Sequence, residues 1–452
     1  MNVDPLVGAE KSCLWDQRRE SRSVRQVFSP DARDVVIVGG GFSGLWTAYW
    51  ISQFDPRRGI TILESRRIGH GASGRNGGWL SALLPVSLGD LASVIGEAGA
   101  RATQTTMFAA VPEILDLCRH HGIDIDASLG GSVALIRNEA QERRARHDMA
   151  DYERFGFADH VHWEDRSATR SRVKVDHESL FRPDCAVVHP RALVDGLARH
   201  LQQRGVEVVE NCHVESIDTG RVDVESSSVR AETVIDCREA YGARESERRV
   251  VPIHSSMIAT PPLSSNLWEH IGLANREALT DHRRQIVYAQ RTADDRLAFG
   301  GRGVGYAYGS RVSSVADFDD RVHRQLFDSM TELFPCLRAV GISHRWGGPL
   351  GVPRDWTWTV SFDDRARTGR LGGYVGDGVT STYVAGRAMA ELVVHGESDF
   401  PLVGHRSRRW EPEPLRWLGI NAMNHLSAIV DRREDANRRG GILARVLDSL
   451  IG

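Results

Sequence analysis

Three glycines within residues 39–44 have the residue type and the spacing of a dinucleotide-binding site. Gly39 permits a tight turn, Gly41 lets a pyrophosphate approach the backbone, and Gly44 lets the following helix pack close to the preceding strand. The chemistry of such a site is anion binding, because N–H groups at the N-terminus of that helix face the phosphates. The motif therefore predicts a nucleotide cofactor.

The segments on either side of these glycines complete the fingerprint. An apolar run, 35–38, precedes them, and a helical run, 45–51, follows. A second strand-like run, 60–63, ends on Glu64, twenty positions beyond Gly44, where a carboxylate accepts hydrogen bonds from an adenosine ribose. Because strand, glycines, helix and acid are in register, a βαβ unit is preferred to a chance turn.

A second glycine-rich stretch, 65–78, follows Glu64 directly. It holds too many glycines for a regular element, and its small side chains suit a backbone pressed against a flat ligand. The alternative is a flexible surface loop, which apolar Trp79 and Leu80 at its end disfavour.

A third glycine-rich turn, 372–380, runs into a helix whose apolar face holds Val384, Ala388, Leu392 and Val393. The N-terminus of that helix suits a second anionic or electron-rich part of a cofactor. An ordinary strand-to-helix turn is the alternative.

Composition limits the class of protein. With 452 residues the chain suits two interleaved domains, and a net charge of -3 argues against a nucleic-acid surface. Only Lys11 and Lys174 are lysines, which leaves almost none for catalysis. The six cysteines show no metal-ligand spacing, and neither a signal peptide nor a membrane-spanning run is evident, so we expect no metal, no membrane contact and a cytoplasmic location.

The remaining chain alternates between helical and strand-like spacing, after a polar N-terminal extension that Trp15 anchors to the body. From residue 250 the segments alternate and include a hairpin, which predicts an antiparallel sheet, and near Trp346 the chain should return to the first domain. Predicted helices are 101–121, 138–155 and 190–204, and predicted strands are 130–136, 206–209, a meander over 214–235 and the hairpin 286–299.

Together these motifs resemble the FAD-dependent oxidoreductases of the D-amino-acid oxidase and glycine/sarcosine oxidase superfamily, and most closely its gamma-glutamylputrescine oxidase-like group. The resemblance spans roughly residues 30–415. It rests on the fingerprint with Glu64, the loop 72–78, Pro252-Ile253 with 259–261, 299–302 and 373–378.

The resemblance implies an α/β fold, with a Rossmann-like FAD-binding domain of the glutathione-reductase type and an α+β substrate-binding domain built on an antiparallel sheet. The implied divisions are an N-terminal extension, 1–33, an FAD-binding domain, 34–100, 151–249 and 345–400, a substrate-binding domain, 101–150 and 250–344, and a C-terminal helical tail, 401–452.

The resemblance also implies FAD-binding residues. They are Gly39, Gly41, Phe42, Ser43, Gly44, Glu64, Ser65, Arg66, Gly71, Ala72, Ser73, Arg75, Asn76, Gly77, Gly78, Val214, Gly376, Gly378, Val379 and Thr380. Sarcosine oxidases have a carboxylate-binding lysine where this chain has Thr380, and their covalent flavin cysteine has no counterpart. FAD is therefore expected to be non-covalent, and the substrate need not be an α-amino acid.

The implied reaction is oxidation of a C–N bond of a small amine to an imine, with hydride transfer to flavin N5 and reoxidation by oxygen to give peroxide. Candidate catalytic residues are His70 beside the flavin, Arg302 for an anionic substrate group, and Trp346 and Tyr374 for an amine pocket. A structural role is the alternative for each of these four residues.

Two other functions stay open: an amine or amino-acid dehydrogenase with a different electron acceptor, and a flavin-containing scaffold or complex subunit without turnover. The tail over 442–451 has one apolar face. We expect it to pack on its own body, with a homodimer contact and then a membrane-surface role as alternatives.

Overall fold

A computed structural model describes residues 4–18, 33–225, 227–244, 246–302 and 305–436. The predicted helical segment 442–451 and most of the N-terminal extension therefore lie outside the described residues. Within those residues the helices are α1 (Phe42–Phe54), α2 (Leu88–His120, interrupted at Gly96), α3 (Glu139–Arg154), α4 (Arg166–Arg172), α5 (Pro190–Gln203), α6 (Ser265–Ile271), α7 (Asp320–Leu333), α8 (Gly378–His395) and α9 (Leu415–Asp435).

Two large sheets and one small sheet contain the strands. The first nine are β1 (Arg33–Val38), β2 (Ile60–Leu63), β3 (Trp79–Ser81), β4 (Ser132–Ile136), β5 (His162–Glu164), β6 (Glu178–Arg182), β7 (Cys185–Val187), β8 (Glu207–Val209) and β9 (Val214–Asp218). The others are β10 (Arg221–Val224), β11 (Ser227–Asp236), β12 (Val250–Ala259), β13 (Ala278–Asp281), β14 (Val287–Arg291), β15 (Leu297–Arg302), β16 (His344–Pro353), β17 (Thr359–Asp363) and β18 (Thr368–Gly372).

The first sheet has the order β17-β18-β11-β1-β2-β8, and β9 and β10 extend β11 as an antiparallel meander. Strands β18, β11, β1, β2 and β8 run parallel. Their carboxyl ends therefore share one edge, which is where open α/β sheets bind ligands. Gly39, Glu64, Cys237 and Gly373 are the residues that follow β1, β2, β11 and β18 at this edge. The predicted βαβ unit, the meander and the glycine-rich turn that leads into a helix at 372–380 are confirmed, and the cofactor-binding role of that turn stays a prediction.

Helices α1, α5 and α8 cover one face of the first sheet and share its core with α2. The apolar face predicted for α8 is buried, and Pro190 occupies the first turn of α5 with His189 as its N-cap. Helices α1 and α8 pack very closely, since a Cβ atom on Gly386 would lie 2.9 Å from the backbone nitrogen of Thr47. This contact fixes the N-termini of both helices relative to the shared sheet edge.

The second sheet has the order β16-β12-β15-β14-β13-β4-β6-β5. The predicted hairpin is confirmed as β14 and β15, and the sheet is antiparallel except at β13 and β4, which pair in parallel. Strands β4, β5 and β6 come from before residue 250, so this sheet is larger than the hairpin region predicted. Fold class is as expected: an α/β layer of Rossmann type beside a largely antiparallel sheet.

Two sequence-based boundaries are wrong. Helix α2 begins at Leu88, well before residue 101, with Ser87 as its N-cap. The chain does not leave the second sheet near Trp346, because β16 pairs with β12 from His344 to Pro353. Strands β5 and β6 also lie in the second sheet, although 151–249 was assigned to the FAD-binding domain. The domain division itself stays a prediction.

Other features of the described residues bear on the site. Trp15 is 2% exposed, which confirms that it anchors the N-terminal segment. All six cysteines are free, and four of them are buried. No helix among the described residues is long and apolar enough to cross a membrane.

The contact between α1 and α8 generates a stability prediction. Gly386→Ala should lower the free energy of unfolding by about 1–3 kcal/mol, because the new methyl group overlaps the α1 backbone. The matched control is Gly419→Ala in α9, where nothing lies within 4 Å of the new Cβ. It should raise stability by up to about 1 kcal/mol. Urea denaturation of both variants measures the difference, and equal effects would contradict this account of the packing.

Candidate active site

The N-terminus of α1 brings together three of the predicted cofactor-binding stretches. The N–H of Gly40 donates to Oε2 of Glu64 at 2.8 Å, and the N–H of Phe42 donates to Oγ of Ser73 at 2.8 Å. A Cβ atom on Gly41 would lie 2.8 Å from the same Oγ, so only glycine leaves this cradle open. The glycines, the acid and the second glycine-rich stretch therefore meet at the carboxyl ends of β1 and β2.

Glu64 is held by its own neighbours. Its Oε1 accepts from the N–H of Arg66 at 2.9 Å and from the Ser65 hydroxyl at 3.4 Å. Burial raises the pKa of the Glu64 carboxyl above its ordinary value, and the N–H groups of Gly40 and Arg66 act in the opposite direction. Val214 is buried in the same apolar cluster as Leu63, just behind this acid.

Residues 71–78, here called the flavin loop, are fixed by three side-chain hydrogen-bond donors. The carbonyls of residues 74, 75 and 76 accept in turn from Cys13 Sγ (3.7 Å), Trp346 Nε1 (2.8 Å) and Trp15 Nε1 (2.8 Å). Within the loop, the Asn76 amide donates to two carbonyls and its oxygen accepts from the N–H of Gly78. The loop is thus a rigid turn, with a short 3₁₀ helix at its start, and not a flexible surface segment.

Arg75 joins the flavin loop to the second sheet. Its guanidinium donates to Asp317 Oδ2 and the Gly347 carbonyl, both at 2.9 Å, and to the Tyr241 hydroxyl at 2.7 Å. His254 Nε2 lies 3.6 Å from the other oxygen of Asp317. Burial raises the pKa of Asp317, and the charge of Arg75 acts against that shift. Sequence analysis missed Tyr241, Asp317 and His254, since each is distant in the chain and belongs to no motif.

A buried carboxylate braces the turn before α8. Glu239 accepts from the N–H of Gly351 at 2.8 Å and from that of Gly373 at 3.2 Å, and Gly351 in turn accepts from the N–H of Val375. Val375 has a φ of 58°, which costs a β-branched residue of order 1–3 kcal/mol. Glu239 follows β11 at the ligand-binding edge of the first sheet, and that position is a signal that could have identified it.

One cavity of about 1930 Å³ lies between the flavin loop, the turn before α8, the second sheet and α9. The flavin loop forms one wall with Ala72, Arg75, Asn76 and Gly77, and the turn before α8 and the first turn of that helix form another with Gly376 and Val379. The second sheet and α9 close the remaining sides. Gly71, Gly378 and Thr380 lie beside these lining residues in the chain, so the structure brings the predicted flavin-binding residues together.

Tyr288 reaches the flavin loop from the second sheet. A Cβ atom on Gly77 would lie 2.9 Å from the Tyr288 ring, so glycine is required where the ring meets the loop. The Tyr288 ring also meets the Trp79 ring edge-on, with 6.4 Å between the ring centroids. Its hydroxyl is 2.8 Å from the Ser255 hydroxyl. Tyr288 and Ser255 both line the cavity, next to the loop that is expected to run along the flavin.

Two of the predicted catalytic residues support the loops rather than line the cavity. Trp346 is 1% exposed beneath the flavin loop, and Tyr374 is 5% exposed, with its hydroxyl accepting from Ser43 Oγ at 3.2 Å. Neither is among the described residues that line the cavity. Their catalytic roles stay predictions, and the geometry gives each a positioning role.

The other two predicted catalytic residues are placed less directly. His70 is half-buried and its ring faces Tyr241 at 6.4 Å. Burial, followed by the charges of Arg75 and Arg66, lowers the pKa of His70 to about 4, so the imidazole is neutral at pH 7. The side chain of Arg302 lies outside what the structure describes, although its backbone pairs with Ser255 in β15. Both roles stay predictions.

The residues at this site fit FAD. The open cradle at Gly41 suits a pyrophosphate at the N-terminus of α1. In the first turn of α8, the hydroxyl of Thr380 is buried and has no hydrogen-bond partner among the described residues, as expected where a polar ring edge would bind. Glu64, the flavin loop and the turn before α8 would hold the adenosine ribose and the flavin.

The N-terminus of α1 carries an open phosphate cradle beside Glu64, and the N-terminus of α8 borders the cavity next to the flavin loop. A dinucleotide with a reactive ring requires both features, so the fold and the site define a flavin-dependent oxidoreductase. The chain belongs to the family described as "DAO: FAD dependent oxidoreductase", whose profile matches residues 34–392. FAD is therefore its cofactor, and none of the described residues that line the cavity is a cysteine, in keeping with non-covalent binding.

Similar proteins agree with this assignment. The chain is 30% identical to a probable oxidoreductase OrdL of Rhizobium meliloti, over 82% of this chain and 85% of that protein. It is also 30% identical to a gamma-glutamylputrescine oxidoreductase of Escherichia coli, over 80% and 83%. The structure resembles glycine oxidase from Geobacillus kaustophilus, with a TM-score of 0.69, 20% identity and coverage of 83% and 99%.

The donors behind the flavin loop generate a binding prediction. Trp15→Phe keeps an aromatic ring, although a smaller one than indole, and removes the N–H that donates to the Asn76 carbonyl. FAD binding should therefore weaken about five-fold, or about 1 kcal/mol. Trp268→Phe is the matched control, because Trp268 donates to the Asp295 carbonyl in the second sheet. Titration of apoprotein with FAD, followed by flavin fluorescence, gives both Kd values. Equal Kd values for the two variants would contradict the role given to Trp15.

Proposed function

We propose that this protein is an oxidase that converts a C–N bond of an amine or amino-acid-like substrate to an imine, with oxygen as the electron acceptor. The observation that carries the proposal is the single cavity that the flavin loop and the turn before α8 share with the second sheet. A substrate bound there would meet the flavin on one side and the sheet on the other. The family supports the redox class, and the name of the Escherichia coli relative supports an amine substrate.

Bound FAD supplies the acceptor for a hydride at flavin N5. The chain's own residues position the substrate and exclude water. Tyr288, fixed by Ser255, presents a hydroxyl beside the flavin loop, where it can hydrogen-bond a substrate nitrogen. Arg75 is neutralised by Asp317, so the loop presents little net charge to a cationic amine. The neutral imidazole of His70 adds none.

Oxygen as the electron acceptor separates the proposed oxidase from a dehydrogenase. L-Proline dehydrogenase from P. horikoshii, with a TM-score of 0.68 and 15% identity over 83% of this chain and 96% of that one, has the same fold as glycine oxidase. The fold therefore serves both kinds of acceptor. A dehydrogenase is the alternative, and a scaffold without turnover is disfavoured by a cavity that reaches the predicted flavin edge.

Anaerobic reduction of the flavin tests the proposal. Purified holoprotein is mixed without oxygen with polyamines, N-methyl amino acids and D-amino acids, and the flavin absorbance is followed. We expect one class to bleach it, and air should then restore the colour with one peroxide formed per substrate. Bleaching that only a dye or quinone reverses would support the dehydrogenase instead. No bleaching by any amine would contradict both enzymatic functions.

The Tyr288–Ser255 pair generates a kinetic prediction. Tyr288→Phe should raise KM for the amine about five-fold, because one hydrogen bond to the substrate nitrogen contributes about 1 kcal/mol. Tyr306→Phe is the matched control: Tyr306 also lines the cavity, but its hydroxyl is bonded to Glu413 at 2.8 Å. Steady-state kinetics with the substrate identified above measures both. A larger effect at Tyr306 would contradict the assignment.

A further inference from the structure

Helix α9 covers one side of the cavity, and hydrogen bonds attach it to the rest of the chain near both of its ends. Near its end, Asp431 accepts from the N–H groups of Arg284 and Gln285 at 3.0 and 2.8 Å. Near its start, the Asn421 side chain exchanges two hydrogen bonds of 3.0 Å with the backbone of Tyr306. The helix begins at residue 415, beyond the end of the family match at 392. Helix α9 therefore lies outside the part of the fold that the family profile covers.

The middle of α9 presents two large apolar side chains to the cavity, among polar lining residues such as Asn424 and Ser427. Ile420 and Met423 line the cavity and are only half-buried, so part of each side chain is not covered by protein. Leu418, on a different face of the same helix, is 53% exposed to solvent. Apolar surface left uncovered inside a cavity is stabilised by a ligand that covers it.

Apolar residues of the second sheet lie on the opposite side of the same space. Ile420 packs in one cluster with Ile253, Val352 and Val375, and Leu350 lines the cavity beside them. We call this region the apolar chamber, and its members are Ile253, Leu350, Val352, Val375, Ile420 and Met423. Arg354 and Arg416, which also line the cavity, are each paired with a glutamate. Other charged lining residues, such as Arg143 of α3 and Arg284 after β13, are not members of the chamber.

The apolar chamber is continuous with the predicted flavin edge. Gly376, the residue after Val375, lines the same cavity, and so does Val379 in the first turn of α8. One molecule can therefore occupy the chamber and reach the predicted flavin edge at the same time. The occupant with the right chemistry is an apolar arm of the substrate itself.

We propose that the substrate is an amine that carries an apolar arm of several carbons, and that Ile420 and Met423 of α9 determine specificity by binding that arm. This inference rests on the proposed function. Each buried CH₂ group should raise kcat/KM about four-fold until the chamber is full.

Two homologous series test the inference: straight-chain n-alkylamines and α-amino acids with straight side chains, each assayed by anaerobic flavin bleaching. In the wild type we expect the rate at low substrate concentration to rise about four-fold per added CH₂ in the series that the enzyme accepts. Ile420→Ala and Met423→Ala should flatten that dependence. Leu418→Ala, on the exposed face of the same helix, should leave it unchanged.

A second variant keeps the test valid if the truncations fail to fold. Ala422 lines the cavity and is exposed, so Ala422→Phe adds bulk without disturbing the core. It should slow the longest arms most and the shortest least. Bleaching that is independent of arm length in the wild type, or a dependence that the α9 variants retain, would overturn the inference alone. No bleaching by any amine would refute the proposed function and the inference with it.

Discussion

The site depends on how an irregular stretch of backbone is held in one conformation. A loop outside regular structure has carbonyl groups that no neighbouring turn satisfies, and burying them unpaired is costly. The flavin loop avoids this cost because Cys13, Trp346 and Trp15 donate to three consecutive carbonyls. Those donors come from the N-terminal segment and from the second sheet. The N-terminal segment, the first sheet with the flavin loop, and the second sheet therefore all contribute to the cofactor surface. The first sheet alone would not complete it.

The turn before α8 is also held by hydrogen bonds, but here its backbone donates to a buried side chain. There the group to be satisfied is an N–H donor: the carboxylate of Glu239 accepts from the N–H of Gly373 in the turn and from the N–H of Gly351 in β16. Burial raises the pKa of this carboxyl, and its backbone hydrogen bonds act against the shift. The strain at Val375 persists because Gly351 and Glu239 fix the turn on both sides. Strand β16 takes part in both sets of hydrogen bonds, through Trp346 and Gly351, and so couples the two halves of the flavin site.

Local signals explain which parts of the structure were predictable. The β1–α1–β2 unit and α5 carry glycines, a proline and apolar periods that act within a few residues, and both were predicted correctly. The start of α2 was missed because Gly96, with a φ of 79°, interrupts the helical period after a proper N-cap at Ser87. Arg75 was predicted, but its partners Asp317 and Tyr241 were not, since a pairing over such a chain distance leaves no trace in one sequence.

The part of the chain that the family profile matches holds the cofactor, and parts outside the match support the flavin loop and cover the cavity. Residues 34–392 contain the strand ends, the flavin loop and both helix N-termini, so the cofactor geometry follows from shared sequence. Trp15 and the helix α9 lie outside that range. Trp15 supports the flavin loop, and α9 covers one side of the cavity. None of the hydrogen bonds described for the flavin loop and Glu239 involves α9, although Ile420 packs in one cluster with Val375 of the turn before α8. If α9 binds part of the substrate as proposed, substrate choice lies in a segment that the family profile does not cover, whereas the glycine motifs serve the cofactor.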